Sequence, residues 1–544
     1  MCSFPLCLSL FALLSSSVHA VNLPVRVRTT FTPGSDLRAR DSANSIPVTN
    51  THNAEYIANV TLGGRDIPVL LDTGRCDRWV TGPVPNTKDL GKSISVAYAV
   101  GTASGDINAA NMTFAGFNVP DQAYLLVQNT SSFSTNITSQ GYDGLIGLGP
   151  NTGSVILDKI GGDAGDSVLN RIFSQNTTSA NYLTLLLSRE NGGTQSFNGT
   201  LTISELVSGF ENVTSMPKLE VDKVHKLTDS DQHWQAYTDA NGVIGPDGQP
   251  IAVDSIVPSA PDNQLVAVFD SGFTLPQVPR SMSDAIYGCV QGAEYNEQSG
   301  VWTIPCDQEL NLSFSFGGQT YPIHPLDVSS SDFDMVDNTG APVCVGTFQP
   351  ITSAFSMLGE YDIILGMAFL RNTYTLFDYG DWVSDSSNDR QDPYIQLLST
   401  TDLTQAHQEF VQARMNGVDM SNSTSQQLLP KSQCKSSPIS EAEKKKEYEE
   451  KVLSRWPEIF VGCLIFVLLV IGLVTWRCCV RRKRRQAQAQ KAASMGINTG
   501  STSGLAPQYQ VVDASTSAVS LQDMSKVNYD DDPYAYRGHK EYSV

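Results

Sequence analysis

The chain has 544 residues, 40% of them hydrophobic and 17% charged, with a formal net charge of -20. That length suggests about three domain-sized units, the apolar content is enough for a core, and the acidity argues against nucleic acid as a partner. Plentiful Gly, Ser, Thr and Asn favours strands and turns over long helices.

Residues 1–20 read as a signal peptide. Phe4 to Leu14 is a short apolar run, too short to span a bilayer, and Val18-His19-Ala20 ends in a small residue suited to cleavage. Residues 21–45 are polar, with Arg26, Arg28, Arg38 and Arg40, and form a candidate pro-segment or N-terminal arm. From 46 to 400 the pattern is strand-like, with short apolar or alternating runs broken by Gly, Asn and Pro, and one helical patch at Ser281 to Gly292. Residues 401–456 turn polar and end in the charged run Glu441 to Lys451, which reads as a stalk with a solvated helix.

Ile459 to Trp476 carries no charge and is long enough for one transmembrane helix. Arg477, Arg481, Arg482, Lys483, Arg484 and Arg485 follow at once, so the C-terminus is expected inside and the preceding chain outside, a single-pass type I arrangement at the cell surface or a secretory or vacuolar membrane. Asn59, Asn111, Asn129, Asn136, Asn176, Asn198, Asn212, Asn311 and Asn422 begin glycosylation sequons, all on that outer side. Residues 477–544 hold little to bury and are expected to be a disordered cytoplasmic tail. Within it Tyr509-Gln-Val-Val512 fits a tyrosine-x-x-apolar pattern that sorting machinery reads, and Cys478 and Cys479 at the boundary suit palmitoylation.

The body repeats itself. Val69-Leu-Leu-Asp-Thr-Gly74 recurs as Ala267-Val-Phe-Asp-Ser-Gly272, and each half later carries an apolar pair before glycine, Leu145-Ile-Gly147 and Ile364-Leu-Gly366. Asp-[Ser/Thr]-Gly occurs nowhere else in the chain. A duplicated lobe explains this order, with an N-lobe at about 46–215 and a C-lobe at about 216–400. Two carboxylates brought close cannot both ionise easily, so they share one proton. The ionised member can then take a proton from water while the protonated member polarises a carbonyl. No zinc-protease, serine-hydrolase or phosphate-loop signature appears, the seven His are scattered, and neither metal nor cofactor is called for.

These segments resemble the pepsin-like aspartic proteases, and the chain looks like a fungal-type, membrane-anchored member. Leu71-Asp72-Thr73-Gly74 through Trp79-Val80 resembles the first active-site segment and Val268-Phe269-Asp270-Ser271-Gly272 the second. Ile94 to Gly105 is similar to the flap hairpin, with Tyr98 at the place of its tyrosine and Gly101 beyond its tip. The resemblance implies an all-β, bilobal fold with a cleft between two lobes and aspartic endopeptidase activity on peptides or proteins at acidic pH. Asp72 and Asp270 would be catalytic, Thr73, Gly74, Ser271 and Gly272 would support them, and Tyr98, Gly101 and Trp79 would serve the flap, Trp79 hydrogen-bonding Tyr98. It also implies a disulfide between Cys306 and Cys344. Cys76, Cys289 and Cys434 remain unpaired by sequence, and their odd number leaves at least one free or bridging chains.

Two departures keep an inactive surface-binding protein as the alternative. Arg75 and Phe273 stand where the family usually carries a small hydroxyl residue, and the N-terminal arm is short and lacks lysine. The intact Asp pair favours the enzyme. With both side chains facing the cleft, Arg75 favours ionised Asp72 and Phe273 favours protonated Asp270.

Overall fold

Local sequence sets the first hairpin. Glu55–Leu62 and Arg65–Asp72 pair antiparallel with Leu62 opposite Arg65. Between them Gly63 and Gly64 both have positive φ, 61° and 93°, the two-residue turn whose twist matches its flanking strands. In this computed structural model residues 44–495 are described, except 52, 99–100, 130–132, 134–136, 176–179, 190–198, 225–231, 352–359, 384–390, 440–443, 446–447 and 449–454.

The architecture is predominantly β, as expected. Thirteen strands form one sheet. One flank holds the long meander Lys88–Tyr98, Gly101–Phe114 and Phe117–Asn129. Next come Arg78–Thr81, Gly144–Gly147, Arg65–Asp72 and Glu55–Leu62. The other flank runs through Ser45–Thr51, Gly199–Ile203 and Tyr182–Leu186 to Thr373–Asp378 and Tyr394–Ser399. So the division of the body at about residue 215 is not a clean cut. Thr373–Asp378, from the end of the second half, pairs directly with Tyr182–Leu186 of the first. Three smaller sheets build the rest of the second half, one of them holding Gln235–Tyr237, Val266–Phe269 and Ile363–Leu365.

One apolar core runs through both halves. Trp234 packs against Phe377, Tyr379 and Trp382 at ring distances of 4.8–5.0 Å. Trp234 Nε1 and the Tyr379 hydroxyl both donate to the carbonyl of Leu148, at 3.3 and 2.5 Å. The aromatic cluster of the second half thereby holds the residue that follows Gly147 in the first. A second tie is ionic. Asp327 is buried and accepts from Arg189, from Arg371 Nε at 2.8 Å and from Asn372 Nδ2 at 2.9 Å, while Arg371 Nη1 donates to the Asn53 carbonyl at 2.7 Å. The two guanidinium charges hold the Asp327 carboxyl well below the usual carboxylate range in spite of its burial.

The polar stretch expected to be a stalk folds on to the body over most of its length. Helix Leu403–Arg414 is capped by Asp402, whose side chain accepts from Gln405 N. It buries Phe410 and Val411, with Met415 beyond its end, beside Leu326. The chain then runs back along the second half. Gln426 Nε2 donates to the Asp307 carbonyl (2.9 Å), Leu429 N to the Cys289 carbonyl (2.7 Å), and Ser437 Oγ to Asp284 (2.6 Å). A disulfide joins Cys289 to Cys434, and another joins Cys306 to Cys344; Cys76 is buried and belongs to neither bridge. This strap also ends the neighbouring helix early. The helix expected to Gly292 spans Arg280–Tyr287, and a Cβ on Gly288 would lie 2.1 Å from the Lys435 carbonyl oxygen.

By itself, Trp456–Met495 is a 40-residue helix. The segment 458–491 is long and apolar enough to cross a membrane, with a mean hydropathy of 2.8 in its most apolar window. Asn59, Asn111, Asn212, Asn311 and Asn422 are all exposed. The signal peptide, the arm up to 43, Asn136, Asn176, Asn198, the side chain of Asn129 and the tail beyond 495, Tyr509 included, lie outside the described residues.

Asp327→Ala is expected to lower stability by about 3–5 kcal/mol, because it strands two buried guanidinium groups. The carboxyl is depressed in the folded state, so its stabilisation is complete above the unfolded value near about 3.9 and is lost only as pH falls through the lower folded value. Thermal unfolding at pH 4.5 and pH 7 should therefore show a similar loss at both. A destabilisation confined to pH 7 contradicts the assignment.

Candidate active site

Each Asp turn grows from the same local arrangement. Strand Arg65–Asp72 runs parallel to Gly144–Gly147, with Asp72 opposite Gly147. Strand Val266–Phe269 runs parallel to Ile363–Leu365, and Asp270 N donates to the Leu365 carbonyl at 2.9 Å. The chain leaving each Asp turn then passes tightly over the glycine that closes the second strand. A Cβ on Gly147 would lie 2.4 Å from the backbone of Cys76, and one on Gly366 would lie 2.3 Å from the Phe273 carbonyl oxygen. These contacts give the repeated apolar-apolar-Gly its reason: the strand must bury its side chains and the crossing chain leaves no room for one.

The turns face each other and are cross-linked reciprocally. Thr73 N donates to Ser271 Oγ at 3.0 Å, and Ser271 N donates to Thr73 Oγ1 at 2.8 Å. Each hydroxyl passes its own hydrogen to a carbonyl of the opposite half, Thr73 Oγ1 to Phe269 O and Ser271 Oγ to Leu71 O, both at 2.9 Å. Within each turn the glycine N–H reaches back to its own carboxylate, Gly74 to Asp72 at 2.9 Å and Gly272 to Asp270 at 2.7 Å. A Cβ on Gly74 would lie 2.1 Å from Asp270 Oδ2, and one on Gly272 would lie 2.9 Å from the Asp72 carboxyl carbon. Only glycine lets each carboxylate sit against the opposite turn.

Both carboxyls are buried. Burial pushes Asp72 up to about 8, and the charge of Asp270 adds to the push, against opposing contributions from Arg75 and the turn N–H groups. Burial also raises Asp270, opposed first by the Gly272 N–H and then by His233 and Arg75. The pair titrates as a unit and keeps a shared proton well above the ordinary carboxylate range. The Arg75 charge lowers Asp72 as expected, and it also lies within reach of Asp270 and lowers that carboxyl too.

The strands Lys88–Tyr98 and Gly101–Phe114 form a hairpin with Tyr98 opposite Gly101, whose φ is 147°. Trp79 and Tyr98 do not form the expected hydrogen bond. Their rings meet edge to face at 6.3 Å, and a second ring, Phe133, packs on Trp79 at 5.4 Å. The Trp79 Nε1 and the Tyr98 hydroxyl are buried and point to no partner among the described residues. The structure thus brings Asp72, Thr73, Gly74, Asp270, Ser271 and Gly272 together, with Trp79 and Tyr98 packed as a pair nearby, and keeps Cys306 and Cys344 apart as a structural bridge.

Sequence reasoning gave His233 no role. Its Nδ1 lies 3.1 Å from the Gly74 carbonyl oxygen, and its ring meets Tyr361 edge to face at 5.7 Å. The residue belongs to no motif, and only the pairing of Gln235–Tyr237 with Val266–Phe269 carries it to the dyad.

The profile of the eukaryotic aspartyl protease family matches residues 55–384, more than half of the chain. Among similar proteins is major aspartyl peptidase 1 of Cryptococcus neoformans var. grubii, 27% identical over 361 residues, covering 60% of this chain and 67% of the relative. Another is the probable aspartic-type endopeptidase CTSD of Trichophyton verrucosum, 24% identical over 360 residues, covering 62% of this chain. The match spans only 61% of that second relative's length. The crystal structure of the aspartic proteinase from Irpex lacteus superposes with a TM-score of 0.49 at 19% identity, covering 65% of this chain and 97% of that one. On the strength of the profile match, which takes in both Asp turns, the chain belongs to the eukaryotic aspartyl protease family.

Proposed function

We propose that this chain is an aspartic endopeptidase that hydrolyses peptide bonds with a water activated between Asp72 and Asp270. The observation that carries this reading is the reciprocal Thr73–Ser271 cross-link, which holds two buried carboxyls against opposite turns where they share one proton. The ionised member takes a proton from water as it attacks the scissile carbonyl. The protonated member gives its proton to the carbonyl oxygen; the member that took the water's proton then delivers it to the leaving nitrogen as the C–N bond breaks, and a hydroxyl of the tetrahedral diol returns a proton to the other carboxyl, which restores the singly protonated pair. A substrate strand lies under the hairpin tip, where Tyr98 and Gly101 shield the reacting atoms from bulk water.

The pair works only while it keeps its shared proton, a condition that acidic surroundings satisfy. The linkage agrees. A carboxyl raised in the folded state favours folding most below the unfolded value of about 3.9, and that advantage is lost as pH rises through the folded value, about 8 for Asp72. The apolar helix, the basic residues after it and the disulfides support a type I anchor, with the catalytic body outside the cell or in a lumen and peptides or proteins as substrates. The exposed sequons fit glycosylation on that side.

Asp72→Asn and Asp270→Asn should each lower kcat by about 10²–10⁴-fold or more, since neither carboxyl alone serves as both acid and base. The Asp72→Asn protein should be at least as heat-stable as wild type at pH 7, because it no longer forces a buried carboxyl towards ionisation. Cleavage of a test peptide by either variant at more than a trace contradicts the dyad, and binding of peptides without cleavage by the wild type points to the inactive alternative.

Tyr98→Ala should reduce kcat/KM far more than it reduces Tm. Its ring lies at the hairpin end and packs on Trp79 without entering the main core. Steady-state kinetics beside thermal unfolding checks this, and matched losses in both would make Tyr98 a packing residue only.

A further inference from the structure

The dyad has a titratable neighbour that the proposed mechanism has not used. His233 is partly exposed and lies one position before the buried Trp234. Trp234 is fixed by three aromatic neighbours and by its bond to the Leu148 carbonyl. That anchorage leaves His233 little freedom. Its Nδ1 lies 3.1 Å from the carbonyl oxygen of Gly74, the glycine packed against Asp270. A carbonyl only accepts, so Nδ1 carries the hydrogen in both charge states and the ring gains and loses its proton at Nε2. The hydrogen bond therefore holds the ring in place whatever its charge.

We propose that His233 is a positioning residue of the catalytic pair, whose positive charge holds Asp270 as the ionised member and leaves the shared proton on Asp72. This rests on the endopeptidase reading above. The charge of His233 stabilises ionised Asp270, and Asp72 is raised further by Asp270 itself. Among the described residues, the other charged or titratable groups close by have roles of their own. Arg75 acts on both carboxyls. Tyr361 offers its ring to the histidine. Asp362 is taken up by Ser255 Oγ, Ile256 N and Val266 N, and Glu360 is buried beside Gln235. Asp222 accepts from Tyr237 and Gln235. With His233 protonated, the singly ionised pair persists to lower pH than two buried carboxyls would allow alone. The charge is fixed in the catalytic centre and needs no substrate to supply it.

The test is the pH dependence of kcat/KM for peptide cleavage by the purified full chain in detergent, for wild type, His233→Gln and His233→Lys. Glutamine keeps an N–H for the Gly74 carbonyl without the charge, and lysine keeps the charge. The acid limb should move up by about half to one pH unit in His233→Gln, the effect of one nearby charge on a carboxyl, and return to the wild-type position in His233→Lys. Superimposable acid limbs in wild type and His233→Gln, or the same shift in both variants, overturn the proposal and leave His233 a packing residue. An inactive wild type, or an active Asp72→Asn, overturns the endopeptidase reading instead. Should His233→Gln fail to fold, the reciprocal measurement decides. Imidazole NMR of the labelled wild type and Asp270→Asn should show the His233 pKa falling by the same half to one unit when the carboxylate is removed, since coupling between two sites is mutual. An unchanged His233 pKa overturns the proposal.

Discussion

Two like groups buried side by side push apart, and this molecule is built to stop them. The four hydrogen bonds of Thr73 and Ser271 join the Asp turns across nearly two hundred residues of sequence, each hydroxyl both accepting from and donating to the opposite half. Neither half can make these bonds alone. Behind them the shared strands and the Trp234 cluster hold the two halves at the spacing the bonds require. Removing water from the carboxyls strengthens every remaining interaction at the site. A fixed N–H from Gly74 or Gly272 therefore counts for more there than it would at the surface.

The interior moves its carboxyls in opposite directions according to company. Asp327 is as buried as Asp72 yet is held ionised, because two guanidinium groups and an amide face it. Asp72 has another carboxyl as its neighbour and is driven towards the neutral acid. One arrangement keeps its charge in acid and serves structure. The other gives up a charge at a pH where an exposed carboxylate would keep it. Burial is common to both, so the partner decides.

The Asp turns were legible because their chemistry is local: three residues make the turn, and a buried strand precedes it. The reason for Gly147 and Gly366 was not legible, since it lies in a chain crossing that only the fold creates. The strap was misread for a physical reason. It is held by a disulfide, by side-chain-to-carbonyl hydrogen bonds and by three buried apolar residues near one helix, so its composition looks solvated. His233 left no trace in sequence because a single histidine has no period or spacing. The Trp79–Tyr98 pair was placed correctly side by side but with the wrong contact, because ring packing with Phe133 governs its geometry.

The way the last strands enter the large sheet has a consequence for biogenesis. Tyr182–Leu186 waits for Thr373–Asp378, which in turn pairs with Tyr394–Ser399. During synthesis the first half therefore emerges with an open strand edge, and almost two hundred further residues must be made before its partner arrives. Contacts so distant along the chain form slowly, and exposed edges invite pairing with other molecules. The Cys289–Cys434 bridge closes later still, only a short distance before the apolar helix. Completion of the sheet and arrival of the apolar helix thus fall close together in time, and a nascent chain halted before residue 373 would leave the translation machinery with the Tyr182–Leu186 edge still open.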